Sequence, residues 1–219
     1  MNTSAKQRQN LFFGKAFFSV FLHGIFTVSF LFFSSDVIAG DWVYLKEENG
    51  VKIFKRATDS RFDAFKVSTL ISRSLSEVRN VFLNIPGHTN WIANCKESRL
   101  LGGKVPDKFI HYYLIGAPWP VKDREMILET ESFFDTQKRR VSILTRAVND
   151  PNVPVKKDSY RITRSHIQWT LEEVSDSSTL VTYVNQTDPG GDVPSYLSNW
   201  SSAGAPTETI LSLKRLLEK

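Results

Sequence analysis

Residues 160–187 read YRITRSHIQWTLEEVSDSSTLVTYVNQT. Two runs rich in β-branched and aromatic residues, Tyr160 to Val174 and Leu180 to Thr187, flank the turn-forming Asp176-Ser177-Ser178. That pattern is a β-hairpin, because a connection this short joins only antiparallel strands. Side chains alternate between faces along a strand, so Ile167, Trp169 and Leu171 share one side. Either Leu180 with Val184 or Val181 with Tyr183 completes that face on the second strand.

Working upstream, Glu97 to Leu101, Phe109 to Ile115, Glu125 to Phe134 and Arg139 to Ala147 carry the same strand character. Val141, Ile143 and Thr145 add to the apolar face. Links such as Gly102-Gly103 suit hairpins, so the expected sheet is a curled antiparallel meander without parallel crossovers. Further upstream, Asp41 to Glu48 reads as a short opening helix carrying Trp42, Val43 and Leu45, stopped by Gly50. Strands Val51 to Ala57 and Ala64 to Ser72 follow. Ser74 or Ser76 then caps a helix bearing Val78, Val81 and Phe82, which Pro86-Gly87 breaks. Thr89 to Asn94, anchored by Trp91, continues irregularly or helically.

Downstream the period changes. Leu197, Trp200, Ile210, Leu213 and Leu217 fall at three- and four-residue steps on one helical face. Pro194 suits the first turn, and Gly204-Ala205-Pro206 is expected to kink or interrupt the helix. The fold class is therefore α+β: a curved antiparallel sheet wrapped around a long C-terminal helix. Covering an apolar sheet face with one helix leaves either a packed core or an internal cavity of ligand size. Glycine- and proline-bearing breaks bracket residues 194–205, which makes that segment a candidate lid.

The first 39 residues have a different character. Lys6, Arg8 and Lys15 precede an apolar run from Phe17 to Phe33, and Val37-Ile38-Ala39 places small residues at the spacing of a cleavage site. This predicts a signal peptide over 1–39 and a single domain over 40–219. The competing expectation is an uncleaved membrane anchor. In either case the folded part is expected outside the cytoplasm, periplasmic or secreted.

Without residues 1–39 the chain keeps 25 basic and 22 acidic side chains, a formal +3. The two signs are interspersed, so nucleic acid is not an expected partner. Hydrophobic residues make up 41% and charged residues 23%, the balance of a globular chain. Cys95 is the sole cysteine, which excludes an internal disulfide and a cysteine-based metal cluster.

Gly50-Val51-Lys52-Ile53-Phe54-Lys55-Arg56 and Trp91-Ile92-Ala93-Asn94-Cys95-Lys96-Glu97-Ser98-Arg99-Leu100-Leu101 are similar to segments of the START lipid-transfer family. Pro118-Trp119-Pro120-Val121-Lys122-Asp123-Arg124-Glu125 resembles that family's Pro-Trp-Pro and Asp-Arg-Asp signature, with Glu125 in place of the second Asp. Tyr160-Arg161-Ile162 resembles its aromatic-Arg-aliphatic strand start, and Asp188-Pro189-Gly190-Gly191-Asp192-Val193-Pro194 the turn that delivers the lid helix. The resemblance spans about residues 41 to 217. It implies a helix-grip fold with a lipid-sized tunnel.

It also implies non-covalent binding, and possible transfer, of a lipid or other hydrophobic small molecule by a monomer with transient membrane contact. No cofactor and no enzymatic activity are expected. Ile143, Trp169, Val184, Leu197 and Trp200 are the candidate wall residues. Arg161 is either ion-paired within the protein or orients a polar ligand head. Pro118 and Pro120 predict a bend at a sheet edge that Trp119 buries, with Asp123 and Arg124 fixing the bend or touching ligand.

Two alternatives stay open. One is an enzyme resembling the cyclases and aromatases of related helix-grip domains, for which His111 and Arg161 would be a poor acid–base pair. The other is an interaction domain with a closed core. His88, His111 and His166 show no metal-ligand spacing, and no Gly-x-Ser-x-Gly elbow is present.

Overall fold

The computed structural model describes residues 41–60, 62–191 and 203–219. Ten strands are present among them: β1 (Val43–Glu48), β2 (Val51–Arg56), β3 (Ala64–Ile71), β4 (Cys95–Lys104), β5 (Lys108–Ile115), β6 (Asp123–Asp135), β7 (Arg140–Ala147), β8 (Ser159–Arg161), β9 (Ser165–Ser175) and β10 (Ser178–Thr187). Two α-helices, α1 (Leu75–Leu83) and α2 (Ala205–Leu217), and a 3₁₀ helix over Ile85–Asn90 complete the fold. The strands form one sheet in the order β1-β2-β3-β10-β9-β7-β6-β5-β4, with β8 paired to β6 off that path. A curved antiparallel sheet with a C-terminal helix is the expected helix-grip α+β fold.

Three local expectations are corrected. Residues 43–48 are strand, not helix. Asn49 and Gly50 both have positive φ, 51° and 75°, and connect Glu48 directly to its partner Val51. An Asn-Gly pair in this conformation makes a two-residue hairpin whose twist matches the strands it joins. That turn, together with the β-character of Val43-Tyr44-Leu45, overrides the helical spacing of Trp42 and Leu45.

The sheet is also not a simple meander. α1 and the 3₁₀ helix carry the chain from β3 to the far edge, where β4 starts. The chain then works back through β5, β6, β7 and β9 to β10, which pairs with β3 from Thr179↔Ile71 to Asn185↔Phe65. A parallel pairing does occur: β8 lies beside β6 with Asp123↔Ser159, Arg124↔Tyr160 and Glu125↔Arg161 in register. Residues 148–158 form the return that permits it, and residues 162–164 split the expected Tyr160–Val174 strand into β8 and β9.

Trp119 is the third correction: it is 92% exposed. The bend between β5 and β6 is held instead by Asp123, whose carboxylate accepts the Ala117 amide at 3.0 Å and the Lys96 ammonium at 2.8 Å. A charge-assisted anchor to backbone fixes a proline-rich bend without any need to bury the indole.

α1 begins where a capping box allows. Ser74 Oγ accepts the Glu77 amide at 3.3 Å, and Glu77 Oε2 accepts the Ser74 amide at 2.9 Å. Its buried face, Leu75, Val78 and Phe82, joins Trp91, sheet residues Val141, Trp169 and Leu171, and Ile210 and Leu213 of α2 in one core. Pro206 sits in the first turn of α2, where its missing amide proton is not needed. Ala203 and Gly204 form a π-helical turn leading into α2, so at Gly204-Ala205-Pro206 the helical winding changes within the described residues. Leu197, Trp200 and nearly all of the candidate lid 194–205 lie outside them, as do residues 1–39.

Candidate ligand cavity

The concave face of the sheet and the two helices do not close on each other completely. Between them lies a cavity of about 140 Å³. Alternation selects its wall. Along β6 the even-numbered residues Arg124, Met126, Leu128, Thr130 and Ser132 all line it, as do Phe109, His111, Tyr113 and Ile115 along β5. β7 contributes Ile143 and Thr145, β9 Ile167 and Trp169, and β10 Tyr183, Asn185 and Thr187. Phe82 and Trp91 close one side, and Pro206 and Thr209 of α2 another.

Much of this wall is a rigid aromatic cluster. Trp169 stacks on Tyr183 with centroids 3.9 Å apart and planes 8° from parallel. Phe82 meets Trp169 edge-on at 4.9 Å and Trp91 at 5.0 Å. Ring contacts of this kind favour fixed ring positions, so the rings support one another in the wall.

Among the described residues the polar groups in the wall carry no carboxylate. His88 Nδ1 hydrogen-bonds the Tyr113 hydroxyl, and its Nε2 lies 2.9 Å from the Phe82 carbonyl. A carbonyl only accepts, so Nε2 carries the proton and Nδ1 accepts from Tyr113. Burial pushes His88 down to about 4 and His111, which also feels His88, down to about 3. Both rings are neutral at pH 7. Arg124, 4% exposed, is the charged group in the wall. Its Nε, Nη1 and Nη2 donate to the carbonyls of Pro189, Lys122 and Gly190, tying β6 to the turn after β10.

The expected wall residues divide. Ile143 and Trp169 line the cavity and are partners in the β7–β9 register. Val184 does not: Thr179, Val181 and Tyr183 are the buried residues of β10, so alternation turns Val184 to the other face. Arg161 is not in the cavity wall either. Its guanidinium donates to Glu125 Oε1 at 2.8 Å and to the Val153 carbonyl at 3.0 Å. The pair of Arg161 with His111 is therefore not assembled. Leu197 and Trp200 fall outside the described residues.

His88, Tyr113 and Thr130 were missed by the sequence reading. For Tyr113 and Thr130 the signal was available in the alternation of β5 and β6, which groups Phe109, His111, Tyr113 and Ile115 on one strand and the even-numbered residues Arg124 to Ser132 on its partner, and the register puts both sets on the same face. Neither strand has enough hydrophobic contrast to say which face is inward. Burial of Tyr112 and Glu125 on the opposite side removes that contrast. Among the described residues no group of His, Cys, Asp and Glu is placed to hold a metal.

The START domain family model matches residues 35–210. The chain belongs to this family. Over 189 residues it is 29% identical to an uncharacterized protein of Pseudomonas aeruginosa, covering 85% of this chain and 91% of that one. It is 22% identical over 166 residues to the phosphatidylcholine transfer protein of Mus musculus, covering 74% and 77% of the two chains. Its fold is similar to that of the STAR-related lipid transfer protein from Xanthomonas axonopodis, with a TM-score of 0.73, 27% identity and coverage of 81% and 99%. Human STARD10 shares the fold at a TM-score of 0.72 and 20% identity, with coverage of 81% and 73%. The START helix-grip architecture is thus shared across relatives in which most side chains differ.

Proposed function

We propose that this START domain binds a lipid or other hydrophobic small molecule non-covalently in its internal cavity and carries it between membranes. The observation that carries the reading is the cavity itself, walled by Ile143, Trp169, Met126, Leu128 and Phe82 in a sheet whose relatives include named lipid transfer proteins. Moving apolar ligand surface from water into such a wall contributes roughly 25 cal/mol per Å², with no covalent chemistry. A cavity walled by fixed aromatic rings suits an apolar guest better than a closed core would.

The protein acts as a monomer with transient membrane contact and outside the cytoplasm, a location that rests on the signal-like order of residues 1–39. The test is mass spectrometry of organic extracts from the purified protein beside an unrelated protein prepared identically. A stoichiometric hydrophobic molecule is expected. Absence of any co-purifying molecule, together with no thermal shift across a lipid panel, overturns the reading.

A further inference from the structure

The cavity's polar groups differ in whether the protein already satisfies them. His88 and Tyr113 complete each other, and the Phe82 carbonyl takes the remaining His88 proton. Arg124 has a backbone carbonyl on each of its three nitrogens. A third group is left open. Thr130 Oγ1 lies 2.8 Å from Thr145 Oγ1 and 3.5 Å from His111 Nδ1, which makes a short chain of three side chains across β5, β6 and β7.

A neutral imidazole has one proton and one bare nitrogen, and each threonine hydroxyl has one proton. If the hydroxyls point toward the imidazole, Thr145 donates to Thr130 and Thr130 donates to His111 Nδ1. The ring proton then sits on Nε2, which has no partner among the described residues. If the chain runs the other way, His111 donates to Thr130, Thr130 donates to Thr145, and the Thr145 proton is left over. In both directions one donor at the end of the chain meets no side chain among the described residues, in a wall where Thr130 is 2%, His111 3% and Thr145 9% exposed. All three side chains line the cavity, so a ligand oxygen inside it can accept from that donor.

The surroundings set the charge of that oxygen. The rings nearest His111 are Tyr113 at 4.6 Å, Phe109 at 5.5 Å and His88 at 6.4 Å, none of them ionised at pH 7. Arg124 stands six residues away along β6, roughly 20 Å at about 3.3 Å per residue. A carboxylate or phosphate at the chain would be desolvated with no cation beside it.

We propose that His111, Thr130 and Thr145 form the polar subsite of this cavity and take an uncharged oxygen, a hydroxyl or carbonyl, borne by an otherwise apolar ligand. The inference rests on the carrier reading above and adds the chemical class of the ligand's polar end.

The test uses three probes of equal chain length, 1-decanol, decane and decanoate, titrated at pH 7 into the purified protein by the fluorescence of its cavity tryptophans. Decanol is expected to bind roughly five- to tenfold tighter than decane, the effect of one hydrogen bond in a buried site, and tighter than decanoate. In the shape-conserving triple variant His111→Phe, Thr130→Val, Thr145→Val, the decanol preference is expected to fall within twofold of unity while decane binding persists. Equal binding of decanol and decane by the unaltered protein, or tightest binding of decanoate, overturns the inference alone. A folded triple variant that keeps the preference also overturns it. Binding of none of the three probes overturns the inference, while the carrier reading is decided separately by the organic extract and the lipid panel. The comparison in the unaltered protein stands whether or not the variant folds.

Discussion

Glu125 and Arg161 face each other across the parallel β6–β8 register, and the Glu125 Oε1 to Arg161 Nη2 distance is 2.6 Å. The carboxylate side chain is fully buried and that of the arginine is 9% exposed. Glu125 Oε2 accepts in addition from the Tyr112 hydroxyl at 2.7 Å and from the Lys156 amide at 3.3 Å. One ion pair thus joins the two sequence segments that carry most of the family resemblance, and it pins the 148–158 return to the sheet. Burial alone would raise the Glu125 carboxyl, but the hydrogen bonds from Tyr112 and Arg161 outweigh it and hold the group below its ordinary range.

Removing one partner of this pair leaves an uncompensated buried charge. Arg161→Ala is expected to destabilise the fold by about 3–5 kcal/mol, and the double change Glu125→Leu, Arg161→Met by clearly less. Urea denaturation of the two variants measures both. If instead Arg161 serves the ligand, Arg161→Ala leaves stability near that of the parent and removes binding.

The two cavity histidines make the stability depend on pH. Each has an ordinary value of 6.5, and burial holds His88 at about 4 and His111 at about 3. The unfolded chain therefore binds protons that the folded chain refuses. The stabilisation is complete above pH 6.5 and is lost as pH falls from there toward 4, on the order of 3 kcal/mol per histidine. The urea midpoint is expected to drop steeply between pH 7 and pH 4.5, and His111→Phe to flatten the drop. An unchanged slope in that variant would show that His111 does not contribute.

Cys95 is buried, and burial pushes its thiol up to about 12. The reactive thiolate is then scarce at pH 8. A thiol-specific disulfide reagent is expected to leave the native protein unmodified over minutes and to titrate one thiol per chain on adding denaturant. Rapid modification of the native protein would contradict this placement.

The two tryptophans of opposite exposure predict opposite outcomes. Trp119→Ala is expected to change stability by no more than about 0.5 kcal/mol, as for other surface substitutions, and to reduce the acrylamide-accessible part of the fluorescence. Trp169→Ala opens the aromatic wall beside Tyr183 and is expected to destabilise by about 3–5 kcal/mol. Chemical denaturation with fluorescence quenching separates the two, and comparable losses in both variants would place Trp119 in a packed environment.

What could be read before folding was local. The hairpin formed by Tyr160–Val174 and Leu180–Thr187, a helix cap at Ser74 or Ser76, the helical spacing of Ile210, Leu213 and Leu217, and the solitary Cys95 follow from period, cap chemistry and counting. Each involves residues close in the chain, where backbone sterics and side-chain alternation suffice. Ile143 and Trp169 were legible as wall residues for the same reason, since β7 and β9 carry a strong apolar contrast between their two faces.

What depends on the tertiary structure is non-local. The closure of β10 on β3, and the parallel seat of β8 beside β6, arise from pairing across more than thirty residues, which no sequence period encodes. Whether Val184 or Tyr183 turned inward was undecidable from the strand alone, because both parities of β10 are apolar and only contact with β3 and β9 selects one. Arg161 is the sharper case: a buried arginine needs an acceptor, and the chain offers many. Only the β6–β8 register shows that Glu125 answers it, leaving His111, Thr130 and Thr145, brought together from three strands, as the polar side of the cavity with a donor still to be met.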